Sequence, residues 1–60
     1  MPFSPGQLMS SPLGRPIRLE RLDGDGKWIC RYLDTDKRQF VALSEQTLYL
    51  GFKRRMRAAH

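Results

Sequence analysis

Few residues of this sequence could do chemistry. The single cysteine, Cys30, lies in an apolar stretch, and the single histidine, His60, is the last residue. Nucleophilic catalysis needs a nucleophile, a base and a group that orients the base, whereas a cysteine among apolar residues usually acts as a small hydrophobic side chain. The same two residues are too few to hold zinc. We therefore expect no enzyme, no catalytic residue and no disulfide within the chain.

The acidic residues could form a metal site or receive a cation. Asp23 and Asp25, in the sequence DGDG, have the spacing of the first and third ligands of an EF-hand calcium loop. Such a loop has glycine at its sixth position and glutamate at its twelfth, where this sequence has Trp28 and Asp34. Asp34 and Asp36 form a second pair, but alternate residues in a turn usually point apart. We expect no metal and no cofactor.

Aromatic residues are the more promising candidates for binding. The strand pattern described below predicts a small SH3-like barrel. In barrels of this class, aromatic side chains near the loop ends form grooves for proline-rich peptides or cages for methylated cations. Trp28 and Phe40 are more typical of a core, whereas Tyr32 and Tyr49 fit a core or a surface about equally well. The two aspartates that follow the first tyrosine could receive a cationic ligand. The candidate binding surface is Tyr32, Asp34, Asp36 and Tyr49.

The positive charge is concentrated at the C-terminal end. The chain has 11 lysines and arginines against 6 acidic residues, a net charge of +5. Four of these cations follow residue 52, so the rest of the chain is almost neutral. Such a tail either solubilises the chain or binds phosphates. The candidate nucleic-acid contacts are Arg31, Lys37, Arg38, Lys53, Arg54, Arg55 and Arg57.

Composition and length indicate one small domain. A chain of 60 residues buries only about 60% of the surface that it exposes when unfolded, so a partner chain or a homodimer would help to stabilise it. We expect a disordered N-terminus at residues 1–5, a domain at 6–52 and a basic tail at 53–60. The chain lacks 18 consecutive apolar residues and a signal-peptide pattern at its start, which predicts no membrane span and a cytoplasmic location.

The elements that would position these residues are short strands. GQLMSS predicts a first strand with Leu8 turned inward, and IRLERL at 17–22 alternates apolar and charged residues as a half-buried strand does. The DGDGK turn favours a hairpin. It leads into KWICRYL, where Trp28, Cys30 and Tyr32 lie on one face.

Two further strands are expected in the second half of the chain. QFVAL predicts one of them, and SEQ suits a tight turn or one turn of 3₁₀ helix. TLYLGF predicts the last strand, with Leu48, Leu50 and Phe52 on one face.

The pattern as a whole is typical of an all-β fold. Four to five short antiparallel strands joined by tight turns predict a small SH3-like (Tudor-like) barrel. The competing architecture is a three-stranded antiparallel sheet that pairs with a second chain. Closure of the sheet would remove edges that otherwise favour aggregation.

Nine residues occur in an order that matches a known pattern: Gly6, Leu8, Gly14, Pro16, Cys30, Tyr32, Asp34, Phe40 and Leu48. In this order the chain resembles the YodC-like family of small bacterial proteins of uncharacterised function. The family pattern has glycine and an aliphatic residue in a first strand, then Gly-Gly-Pro, then a Cys-x-aromatic-x-Asp strand, and later a phenylalanine and a leucine. Arg15 replaces the second glycine. The resemblance supports the fold and implies no established activity.

The function that we predict from these features is a non-enzymatic binding module. It would act through protein–protein contacts or self-association, because the body of the chain is nearly neutral and rich in aromatic residues. The alternative is a nucleic-acid-binding module that uses the basic tail and arginines of the barrel.

Overall fold

The computed structural model describes residues 3–54 and shows a single antiparallel sheet with one short helix. The five strands lie side by side in the order β4-β3-β2-β1-β5. The prediction of a mostly β fold is therefore confirmed. No helix in this part of the chain is long and apolar enough to cross a membrane. The elements are β1 (Leu8–Ser10), β2 (Pro16–Leu22), β3 (Lys27–Tyr32), β4 (Phe40–Ser44), α1 (Glu45–Gly51) and β5 (Lys53–Arg54).

The turn between β2 and β3 has the hairpin geometry that its sequence predicted. The carboxylate of Asp23 accepts hydrogen bonds from the backbone N–H groups of Asp25 at 2.8 Å and Lys27 at 2.9 Å. The Asp23 N–H in turn donates to the Lys27 carbonyl at 2.8 Å. Gly26 has a φ of +81°, a conformation that glycine adopts without strain. The hairpin therefore connects β2 directly to β3, and the register of the two strands shifts once, between Leu19 and Arg21.

Strand β3 alternates between the core and the outer face of the sheet, as predicted. Trp28 and Cys30 are buried, whereas Ile29 and Arg31 are half-buried on the other side. The indole N–H of Trp28 donates to a carboxylate oxygen of Glu45 at 3.2 Å, which satisfies the polar atom of a buried ring. The interpretation of Trp28 as a core residue is confirmed. The buried apolar side chains are Phe3, Met9, Ile17, Leu19, Trp28, Cys30 and Leu48.

Two predictions of inward-facing residues are wrong. Met9, not Leu8, is the buried residue of β1, because Met9 pairs with the buried Ile17 of β2 and shares its face. Phe40 is 43% exposed, because it lies opposite Arg31 on the outer face of the sheet. The core also contains Phe3, which precedes the predicted start of the domain at residue 6.

The segment predicted as the last strand is mostly a helix. Ser44 caps it, since the Ser44 hydroxyl accepts a hydrogen bond from the Thr47 N–H at 3.1 Å. Helix α1 buries Leu48 and leaves Tyr49 and Leu50 exposed, so the predicted common face of Leu48, Leu50 and Phe52 is wrong. The chain then forms β5, which pairs with β1 at residues assigned to the tail from sequence.

Candidate binding surfaces

Tyr32 and Asp34 lie together at the end of β3, but the chain itself occupies the site that they form. The guanidinium carbon of Arg15 lies 3.8 Å from the centre of the Tyr32 ring. The same side chain donates from Nε to one carboxylate oxygen of Asp34 at 2.9 Å and from Nη2 to the other at 3.0 Å. The aromatic face and the carboxylate that we considered for a cationic ligand contact Arg15 of the chain itself.

The loop between β1 and β2 fixes the position of Arg15. The Ser11 N–H donates to the Arg15 carbonyl at 2.8 Å, and the Arg15 N–H donates to the Ser11 hydroxyl at 3.0 Å. Gly14 has a φ of +87°, which allows the tight turn between them. The hydrogen bond from the Arg15 side chain holds the pKa of Asp34 below its ordinary value. This pair is therefore satisfied within the chain.

Asp36, Lys37 and Arg38 lie in the loop that joins β3 to β4, and all three are exposed. The Lys37 N–H donates to the Thr35 hydroxyl at 3.2 Å, and the Gln39 N–H donates to the Lys37 carbonyl at 2.9 Å. Asp36 is not part of the Arg15 contact. The two basic side chains therefore stand next to the edge strand β4.

Tyr49 lies at a groove that is distinct from the Arg15 cluster. The groove has a volume of about 280 Å³. Its lining combines apolar side chains with a tyrosine and one basic side chain, whose guanidinium carbon lies 6.0 Å from the centre of the Phe3 ring. Tyr49 is 75% exposed and forms part of the rim. The lining residues are Phe3, Met9, Leu48, Tyr49, Phe52 and Arg54.

The predicted nucleic-acid contacts do not form one row. Arg31 lies at the centre of the sheet on its outer face, directly opposite Arg18 of β2. Lys53 and Arg54 form β5, at the opposite edge of the sheet from β4. The last two cations of the predicted set, Arg55 and Arg57, lie outside the described residues.

The described residues contain no group with a clear catalytic arrangement. Cys30 is fully buried, and burial, with a smaller effect of the Glu20 charge, raises the pKa of its thiol to about 11. A protonated, inaccessible thiol is a poor nucleophile. Between residues 3 and 54 there is no cluster of three or more histidine, cysteine, aspartate or glutamate side chains that could hold a metal ion.

Comparison of the chain with models of protein families, with curated proteins and with solved structures finds no match. Function must therefore be inferred from geometry. Sequence reasoning missed Arg15 as the partner of Asp34 and missed Phe3 and Met9 as lining of the groove. No local signal in the sequence indicates these contacts, because each joins segments that are far apart in the chain.

Proposed function

We propose that the protein is a non-enzymatic binding module that holds a segment of a partner protein in the groove beside α1. The groove itself carries this proposal. Its floor is made of buried core side chains, and its rim includes the exposed ring of Tyr49. Tyr32 and Asp34, the other half of the surface predicted from sequence, are already occupied by Arg15.

The size of the groove favours a side chain over a small-molecule cofactor. Cofactor and drug-sized ligands usually occupy pockets of about 300–1,000 Å³, and this groove of about 280 Å³ is open and shallow by comparison. One or two apolar side chains of a partner would fill it. Burial of such side chains contributes about 25 cal/mol per Å² of apolar surface removed from water.

The charge around the groove indicates an acidic partner segment. Lys53 and Arg54 form β5 next to the groove, and Arg54 lines it. Two more arginines follow in the sequence. Opposite charges at the rim of an interface increase the rate of association and select the partner. The preferred ligand would therefore carry an apolar anchor residue with aspartates or glutamates beside it.

An SH3-like barrel is the finer fold that we propose for the sheet. Two features support it: the strand order β4-β3-β2-β1-β5 and a single short helix immediately before the last strand. Barrels of this class bind extended peptides through aromatic grooves. The resemblance to the YodC-like family and the cytoplasmic location stay predictions.

Peptide selection from an unbiased display library tests the proposal. The full chain should select peptides with an apolar residue flanked by acidic residues, and Tyr49→Ser should weaken their binding about tenfold or more, as loss of an aromatic hot-spot residue does. Leu50→Ser is the matched control. Leu50 is the next residue of the same helix and is 72% exposed, but it does not line the groove. The L50S variant should bind as the wild type does.

Two results would contradict this proposal. One is equal binding by the Y49S and L50S variants. The other is a set of NMR shift changes, on addition of a selected peptide, that avoids the groove residues. Self-association is the second mode that the sequence suggested. If a second copy occupies the groove, sedimentation of the wild type should show a dimer that Y49S dissociates.

A further inference from the structure

The outer face of the sheet presents a row of basic and apolar side chains that the groove does not use. Adjacent strands are in register, so that Leu8, Arg18, Arg31 and Phe40 lie directly opposite one another across β1, β2, β3 and β4. Residues opposite one another in neighbouring strands project from the same face of a sheet. The row therefore places two arginines between two apolar side chains on the surface.

A second row continues the same face toward the hairpin turn. Arg21 of β2 lies opposite Ile29 of β3, and Ile29 lies opposite Ala42 of β4. Lys27 precedes Ile29 by two residues and so shares its face. Strands are about 4.8 Å apart and alternate residues along a strand about 7 Å apart. Neighbouring cations on this face are thus spaced closely enough to contact successive phosphates of one extended strand.

Two carboxylates reduce the charge of this face without cancelling it. The Nε atom of Arg18 lies 2.6 Å from Oε2 of Glu20, which leaves the two terminal nitrogens of the guanidinium as donors. The pKa of Asp23 is lowered mainly by a backbone hydrogen bond from Lys27, and to a smaller extent by the positive charges of Lys27 and Arg21. Arg31 makes no side-chain hydrogen bond or ion pair with any described residue.

We propose that this outer face binds single-stranded nucleic acid, with Arg31 and Arg18 contacting phosphates and the exposed Phe40 ring stacking on a base. Proteins that bind single strands without sequence preference combine a basic surface with aromatic side chains on which bases stack. The ring of Phe40 is 43% exposed beside Arg31. The carboxylates of an acidic peptide would also contact the arginines, but such a peptide has no planar base that would stack on the exposed Phe40 ring.

The position of the loop cations supports the same ligand. Lys37 and Arg38 are exposed and lie just before Phe40 in the chain, so they extend the basic surface beyond the start of β4. None of the residues in this site lines the groove beside α1. The two proposals are therefore independent, and failure of one does not affect the other.

Fluorescence anisotropy with labelled oligodeoxythymidine and oligouridine of equal length tests the site in the full chain. The wild type should bind with a dissociation constant of about 10⁻⁴ to 10⁻⁶ M at physiological salt. Arg31→Gln should reduce the slope of log affinity against log salt by about 0.7, the value for one phosphate contact on a single strand. Phe40→Ala should weaken binding about fivefold or more, and Phe40→Trp should restore it.

Lys53→Gln is the matched control. It removes one cation from the same face but at the opposite edge of the sheet from Phe40, so it should weaken binding much less than R31Q does. Circular dichroism confirms that each variant is folded. Three results would overturn the proposal: no binding by the wild type at low salt, an equal effect of R31Q and K53Q, or no effect of F40A. Binding of polyglutamate with the same dependence on Arg31 and Phe40 would also overturn it, in favour of an acidic protein. A preference for one oligonucleotide supports the site and shows whether it distinguishes RNA from DNA.

Discussion

At the scale of single residues, Arg15 changes the interpretation of the predicted binding surface. Tyr32 and Asp34 are two positions apart at the end of a strand, and the sequence alone predicted that they share a site. Their partner is 19 residues from Asp34 in the chain. Its position depends on the β1–β2 loop, which no local pattern predicts, as well as on the pairing of β2 with β3. An exposed ion pair of this kind stabilises a fold only modestly, but it occupies the aromatic face and the carboxylate that a cationic ligand would need.

The acid dependence of stability should reveal the contact between Arg15 and Asp34. Because the pKa of Asp34 is lowered in the folded chain, its stabilising contribution is complete above the ordinary aspartate pKa of about 3.9. The contribution is lost as the pH falls through the lowered value, where the folded state takes up the proton. Asp34→Asn should therefore lower the melting temperature at neutral pH, and this difference from the wild type should shrink on acidification.

Asp36→Asn is the matched control for Asp34→Asn. It removes the same charge from the same loop but no hydrogen bond between described residues, so its melting temperature should follow that of the wild type. Thermal melts followed by circular dichroism across the acid range provide the measurement. Identical melting temperatures for D34N and D36N at neutral pH would show that the Arg15 contact contributes nothing.

At the scale of elements, the sheet could be predicted from sequence and the helix could not. The hairpin of β2 and β3 has strong local signals, namely alternation and a DGDG turn. The segment TLYLGF also alternates, and a period of two over four residues does not exclude a short helix. What decides the outcome is the Ser44 cap together with burial of Leu48 in the core. In a strand, Leu50 would share the face of Leu48 and Phe52, whereas the helix leaves Leu50 exposed and places Tyr49 on the rim of the groove.

Removal of the helix cap should destabilise the fold by a measurable amount. Ser44→Ala leaves the Thr47 N–H without its partner and should lower the free energy of unfolding by about 1 kcal/mol. Gln46→Ala is the control, since Gln46 is exposed in the same helix and makes no side-chain hydrogen bond with a described residue. That substitution should change stability by less than about 0.5 kcal/mol. Urea unfolding distinguishes them, and equal values for S44A and Q46A would mean that the cap is not needed.

At the scale of the whole molecule, the fold joins the two ends of the described chain around one core. Phe3 packs into the core from the start of the described residues, and β5 pairs with β1 from the other end. The strand and turn pattern correctly predicted a mostly β fold, because most of the core comes from alternating residues of β2 and β3. Contacts of the end segments have little local sequence signal. They form only because the strand order brings β5 beside β1, and the groove lies where these end segments meet the helix.

A core this small should depend strongly on Trp28. A domain of 60 residues has a free energy of unfolding of about 3–9 kcal/mol at typical values per residue. Replacement of a buried aromatic residue by alanine costs about 3–5 kcal/mol, and Trp28→Ala also leaves Glu45 without its indole hydrogen bond. We expect this variant to be largely unfolded at 25 °C, while Trp28→Phe keeps most of the packing and remains folded with reduced stability.

Phe40→Ala is the control for Trp28→Ala, because it also removes a large aromatic side chain. Because Phe40 lies on the outer face and is 43% exposed, its loss should cost about 1 kcal/mol or less. Far-UV circular dichroism during heating and urea titration compares the three variants without relying on tryptophan fluorescence. A cooperative transition of W28A at a stability close to that of F40A would contradict the core described here, since the side chain at position 28 would then contribute no more than one on the surface.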